Sequence, residues 1–346
     1  MAKLWATVNL RRAKLIWAAV AILLLLPIAS PGCTASDAEL THLRVVALPY
    51  TSFATFYIPQ EEGYFAEQGL EVEFVKFSAS PQAIPLLAQG DLDVSAGGGS
   101  ASMMNAIGQN INLRIVAGRE SAPSDCESVA LMVRRDLYDS GELDTVAEIR
   151  GRTVAIPFTA SLADFTLAKI LEADGLTPDD VEITKLRPQD TVAAFENRAI
   201  AAAIMGTPHI QRIEALGYAV TLDSLNNLMP GFQYGFVIFG PNLLDDNPEL
   251  GEKFMVAYLQ GVRQYAQGKT ESNLGILEKY IGLDEETLRQ ACWSRVYPDA
   301  RINVEDILTF QDWAYDNGFV DEKVTAEQLI DTRFIEYANQ VLGPAP

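Results

Sequence analysis

From Leu43 onward, short runs rich in β-branched residues alternate with stretches of helical periodicity, and that alternation limits the fold more than any other feature. Leu43–Leu48 reads as a strand and Phe53–Phe65 as a helix with Gly63 and Gly69 in capping contexts. Leu70–Val75 alternates at period two, Pro81–Gln89 is helical, Asp93–Ala96 is a strand, Ser100–Gln109 a helix and Leu113–Ala117 a strand. The theme repeats with strands at Ser128–Val133, Thr153–Ile156, Val181–Leu186 and Ala201–Met205, and helices at Ala163–Ala173 and Asp190–Asn197. Phe232–Phe239 is one more strand, after which helices are expected at Pro248–Gln267, 284–293, 303–317 and 325–341. Strand and helix in alternation predict an α/β protein whose mostly parallel sheets carry helices on their faces.

Two stretches overlay in one register. Gly90–Gly98 and Arg198–Gly206 each run from a helix end through a short small-residue strand to a glycine at the next turn. The pattern is that of two like lobes, or of two unrelated αβ units that share a shape. A length of 346 residues suits about two domains.

The charge is uneven along the chain. Lys3, Arg11, Arg12 and Lys14 precede the first acidic residue, Asp37, and an apolar run from Leu15 to Leu26 follows them. Basic head, apolar stretch and small residues are the order of an export signal, expected over 1–32. Gly32-Cys33 resembles the end of a bacterial lipobox, although Ser30 stands where an aliphatic residue is usual. Cys33 is therefore the expected lipidation site, followed by a linker over 33–42, with ordinary cleavage nearby as the alternative. The remaining 314 residues hold 22 basic against 46 acidic side chains, a net −24. That surface repels anionic headgroups and the phosphate backbone, so attachment to a membrane would come from the lipid, and nucleic acid is no partner.

Other chemistry finds no motif. Two histidines without cysteine neighbours give no zinc site, so no metal and no cofactor is expected. Gly268-Lys269-Thr270 lacks the upstream glycine of a phosphate loop, and no Gly-x-Ser-x-Gly elbow occurs. Cys126 and Cys292 either pair, as an exported protein allows, or remain two buried thiols.

The run Glu61-Glu62-Gly63-Tyr64-Phe65-Ala66-Glu67-Gln68-Gly69-Leu70-Glu71-Val72, with Gly90-Asp91-Leu92-Asp93 and Arg150–Ala155, resembles one group of periplasmic binding proteins. That group serves ABC importers of nitrate, sulfonates, taurine, thiamine-precursor pyrimidines and riboflavin. The resemblance implies a type II two-lobe fold, with 43–120 and 236–346 as lobe I and 121–235 as lobe II. The chain would cross between lobes near Gly118–Glu127 and Met229–Gly235, and the lobes would hinge shut on a ligand before docking on a permease and its ATPase.

Ligand would sit at the carboxyl ends of the strands. The expected contacts are Tyr50, Thr51, Phe53, Tyr57, Gly99, Ser100, Thr159, Ser161, Thr207 and Tyr234. Each has a plainer reading: Phe53, Phe56 and Tyr57 as core, Gly97–Gly99 as a tight turn, and Ser100, Thr159, Ser161 and Thr207 as helix caps. These loops hold no Lys or Arg, and Tyr50, Phe53, Tyr57, Phe158 and Tyr234 suit a planar ring by stacking. Riboflavin is the preferred ligand, a thiamine-precursor pyrimidine the next, and a small anion held by helix ends the third. A pyrimidine synthase shares the resemblance but carries a cysteine cluster that this chain lacks. His209 then reads as a helix-start residue, and no catalysis is expected.

Overall fold

A computed structural model describes residues 40–77 and 80–345. The expected signal, Cys33 and most of the linker lie outside the described residues. Strand β1 (Thr41–Ala47) begins inside the stretch read as linker. It is followed by β2 (Leu70–Lys76), β3 (Val94–Gly98), β4 (Arg114–Ser121) and β5 (Val129–Arg134). Then come β6 (Thr153–Ile156), β7 (Glu182–Lys185), β8 (Ala202–Gly206), β9 (Ala219–Ser224) and β10 (Gln233–Phe239).

These form two five-stranded sheets of one plan, ordered β2-β1-β3-β10-β4 and β7-β6-β8-β5-β9. Within each, the first three strands are parallel, while β10 and β5 run antiparallel to both neighbours. The sheets are therefore mixed, and the reason lies in the path of the chain. Each antiparallel strand is the first one laid down after the chain changes sheet, so it enters from the opposite end. The fold is the α/β two-sheet architecture that the alternation predicts.

Local chemistry explains where the expected elements shift. The helix read over Phe53–Phe65 splits, because Gly63 takes a left-handed φ of 81° between Ala54–Glu61 and a short helix at Tyr64–Glu67. The helix Pro248–Tyr265 buries Phe254, Tyr258 and Val262 on one stripe. It lies on Ala54–Glu61, with Phe56 5.2 Å from Tyr258 between ring centroids. Phe56 is thus a core residue. Gly261 permits the approach, since a Cβ there would fall 2.4 Å from Pro59.

Cys126 and Cys292 form a disulfide, with Cα atoms 5.6 Å apart. Among the described residues no helix is long and apolar enough to cross a membrane, and no group of three or more His, Cys, Asp or Glu is placed to hold a metal ion.

Candidate ligand-binding site

A cavity of about 150 Å³ lies between the two sheets, where the carboxyl ends of their strands meet. The first sheet contributes the turn after β1, the glycines ending β3, and residues of β4 and β10. The second contributes the start of β5, the turn after β6 and the end of β8. The sheets touch at the lip: the amide of Ala101, first residue of the helix Ala101–Gly108, donates to the carbonyl of Ala160 at 3.2 Å.

Tyr50, Thr51, Phe53, Gly99, Ser161, Thr207 and Tyr234 all stand on the cavity wall. Three expected contacts do not. Tyr57 faces away: its ring stacks on Tyr280 at 4.2 Å, meets Phe74 edge-on, and its hydroxyl donates to the Leu48 carbonyl at 2.9 Å. Ser100 caps its helix, its Oγ accepting from the Met103 amide at 3.4 Å. Thr159 is exposed, on a turn where Ala160 holds a left-handed φ of 55°. Ser161 and Thr207 are not side-chain caps. Ser161 donates to the Phe158 carbonyl at 2.8 Å and Thr207 to Gln211 Oε1 at 2.7 Å.

Gly97–Gly99 are glycines for packing and not for a turn, since none has positive φ. A Cβ on Gly97 would fall 2.0 Å from Ser80 Oγ, and one on Gly99 would press on the Phe310 ring at 3.0 Å.

The largest departure from expectation is a charge pair on the wall. Arg119 and Glu120 lie on β4, which runs past the expected end at Ala117. Arg119 is 2% exposed; it donates through Nη1 to Ser52 Oγ at 2.7 Å and through Nη2 to the Glu120 carboxylate. Its guanidinium lies 4.3 Å above the Phe53 ring. Its Nε has no protein partner. Gly235 makes room for the pair, because a Cβ there would overlap Glu120 Cγ at 2.1 Å. Sequence reasoning missed these residues because the charges follow Gly118 where the chain was expected to leave the sheet. Two adjacent opposite charges beside a buried strand were the available signal.

Tyr234 stands between Ser128 and Ser294, donating to Ser128 Oγ at 3.0 Å and meeting Ser294 Oγ at 3.0 Å. Burial, then the Glu120 carboxylate, pushes the Tyr50 hydroxyl up to about 12 and Tyr234 higher still, so both are neutral donors. His209 meets the Tyr50 ring edge-on at 6.1 Å. Burial, then Arg212, draws its imidazole down to about 4, so it is neutral at pH 7.

The family described as NMT1/THI5 like matches residues 50–271. A Brucella abortus protein described as a binding protein is 26% identical over 233 residues, 67% of this chain and 68% of that one. The riboflavin-binding protein RibY of Chloroflexus aurantiacus is 24% identical over 244 residues, 68% and 65% of the two chains. Among solved structures, the periplasmic aliphatic sulphonate binding protein SsuA of Escherichia coli superposes with a TM-score of 0.67 at 20% identity, covering 84% of this chain and 97% of that one. The chain belongs to the NMT1/THI5-like family and folds as its two-lobe periplasmic binding proteins do.

Proposed function

We propose that this chain is the solute-binding component of an ABC importer and that its ligand is an uncharged compound with a single ring, of the thiamine-precursor pyrimidine class. Lobe I (43–120 and 236–346) and lobe II (121–235) are the closing bodies. The protein is exported, with Cys33 carrying its lipid tether. The closed lobes offer the permease a surface that the open form lacks.

The observation that carries the ligand class is the cavity's charge. Among its described wall residues the charged side chains are Arg119 and Glu120, already joined to each other. A nitrate or sulfonate would enter a net-neutral site whose cation is already hydrogen-bonded to Glu120 and Ser52, and much of its lost hydration would go uncompensated. A neutral ring meets Tyr50, Phe53, Phe158 and Tyr234, while the pair and the hydroxyls orient its polar edge. Size points the same way. A cavity of about 150 Å³ takes one benzene-sized ring in an engineered protein core. Three fused rings with a ribityl chain need the lobes further apart.

Riboflavin is the second reading, favoured by the kinship to RibY. Native mass spectrometry of the purified chain, with extraction of any carried compound, separates the two. A single-ring heterocycle released unchanged is the expected result. A yellow flavin would transfer the proposal to riboflavin, and a chemically altered product would replace binding with catalysis.

A further inference from the structure

Cys126 and Cys292 are 166 residues apart in sequence. Each is followed, two positions later, by a serine whose hydroxyl meets the Tyr234 hydroxyl: Ser128 on one side and Ser294 on the other, both at 3.0 Å. Tyr234, Ser128 and Ser294 all line the cavity. They come from three separate pieces of chain. Tyr234 is on β10 of the first sheet, and Ser128 directly precedes β5 of the second. Ser294 sits on the irregular stretch 291–296 beyond the helix Glu285–Gln290.

Neither serine lies in a helix or strand; the Ser128 carbonyl accepts from the Thr207 amide at 3.0 Å, and the other supports are cross-links. Asn226 donates to the carbonyls of Pro123 and Cys126 at 2.6 and 2.8 Å. Ser121 and Arg295 exchange both backbone hydrogen bonds, at 2.8 and 3.1 Å. Trp293 stacks on Tyr265, whose hydroxyl donates to the Ser294 carbonyl at 3.0 Å. The disulfide is the covalent member of this set and joins the crossing segment to the 291–296 stretch directly.

We infer that the Cys126–Cys292 disulfide is a positioning device for the ligand cavity, holding the Ser128 and Ser294 hydroxyls on Tyr234 so that its ring is set before ligand arrives. It rests on the cavity being the ligand site, and not on which ring compound fills it. A preset wall spares binding the entropy of ordering two loops and a tyrosine. Without the bond the two segments separate more freely, Tyr234 loses one or both partners, and ligand must restore them.

The test compares the full chain with C126A/C292A in two measurements. Amide hydrogen exchange of the ligand-free proteins reads the Ser121–Arg295 pairing. Calorimetry reads affinity for 4-amino-5-hydroxymethyl-2-methylpyrimidine and for riboflavin. Exchange at Ser121 and Arg295 is expected to rise about tenfold or more, and the dissociation constant of the bound probe about tenfold. S128A/S294A should cause a similar loss in the oxidised chain and less than a twofold further loss in C126A/C292A, the coupling that a shared function requires. Unchanged protection and an affinity within twofold of the parent would overturn the proposal, as would fully additive losses. Should the parent bind neither probe, the ring-ligand reading fails, and the exchange measurement alone decides the disulfide's role. If C126A/C292A does not fold, the folded oxidised chain is reduced with dithiothreitol, which supplies two electrons and two protons to give two thiols and its own cyclic disulfide. The same outcomes then apply.

Discussion

The two sheets share one strand order and are furnished differently. Under the first, rings dominate: Phe56, Phe65, Phe239, Phe254, Tyr258 and Phe334 interlock, with Phe65 and Phe254 stacked at 5.2 Å. One side of the second is filled by aliphatic residues, among them Ala130, Met132, Ala203, Met205, Ile210 and Ile213, with Phe195 the one ring in that buried cluster. The first sheet also carries the cavity's only wall charges among the described residues, while the second offers backbone turns and hydroxyls. The same strand order thus carries the polar anchor on a ring-packed sheet and sets a plainer sheet across the cavity from it.

The comparison is broken most forcefully at Arg119. Arg119→Met leaves the Glu120 carboxylate buried without its partner, and unfolding in urea should show about 3–5 kcal/mol of lost stability. Arg119→Met with Glu120→Leu should recover most of that loss while ligand binding stays absent. A double variant as unstable as the single would mean that the pair supports the fold for reasons other than charge. Gly235→Ala is next. Its methyl must displace Glu120, so a loss of about 1–3 kcal/mol and a tenfold or greater fall in affinity are expected by calorimetry. A glycine-to-alanine change on the second sheet, Gly206→Ala, has its nearest neighbour at 3.7 Å and should cost less than about 1 kcal/mol.

The smallest effect concerns pH. His209 begins the helix His209–Ala215 in a half-buried site, and its folded-state value is about 4 against 6.5 when free. Between those values the unfolded chain binds the proton and the folded chain does not. The contribution is therefore whole above pH 6.5 and lost progressively as pH falls to about 4, at most about 3 kcal/mol. His209→Gln should flatten the stability profile in that window, with little change at pH 8. An unchanged profile would place the imidazole in solvent.

Much of this arrangement was legible in the sequence, and the exceptions have a common cause. Strands announced by β-branched runs and helices announced by caps were local signals, so β1, β2, β6, β8 and the helix Pro248–Tyr265 fall where expected. The turns after β1, β3, β6 and β8 bring six of the ten expected contacts to one cavity for the same reason, and β10 adds Tyr234. What was hidden depends on partners far along the chain. Arg119 and Glu120 continue a strand because each neutralises the other and Gly235 gives way to them. Ser294 lines the cavity two residues after Cys292, which is bonded to a cysteine 166 positions earlier. Tyr57 turns away from the cavity into the core, where Tyr280 offers its ring a stacking surface from a helix, Glu271–Ile281, that the sequence did not announce. β9, half-buried at a sheet edge and without clean alternation, was also missed.

The central claim is that the cavity between the sheets takes an uncharged single-ring compound through a wall whose two charges cancel. The most direct measurement is calorimetric titration of the purified chain, in parallel, with 4-amino-5-hydroxymethyl-2-methylpyrimidine, riboflavin, taurine and nitrate. Saturable one-to-one binding of the pyrimidine, lost in Tyr234→Ala and absent for the two anions, is the predicted result. Tight binding of taurine or nitrate with no response to the pyrimidine would contradict it.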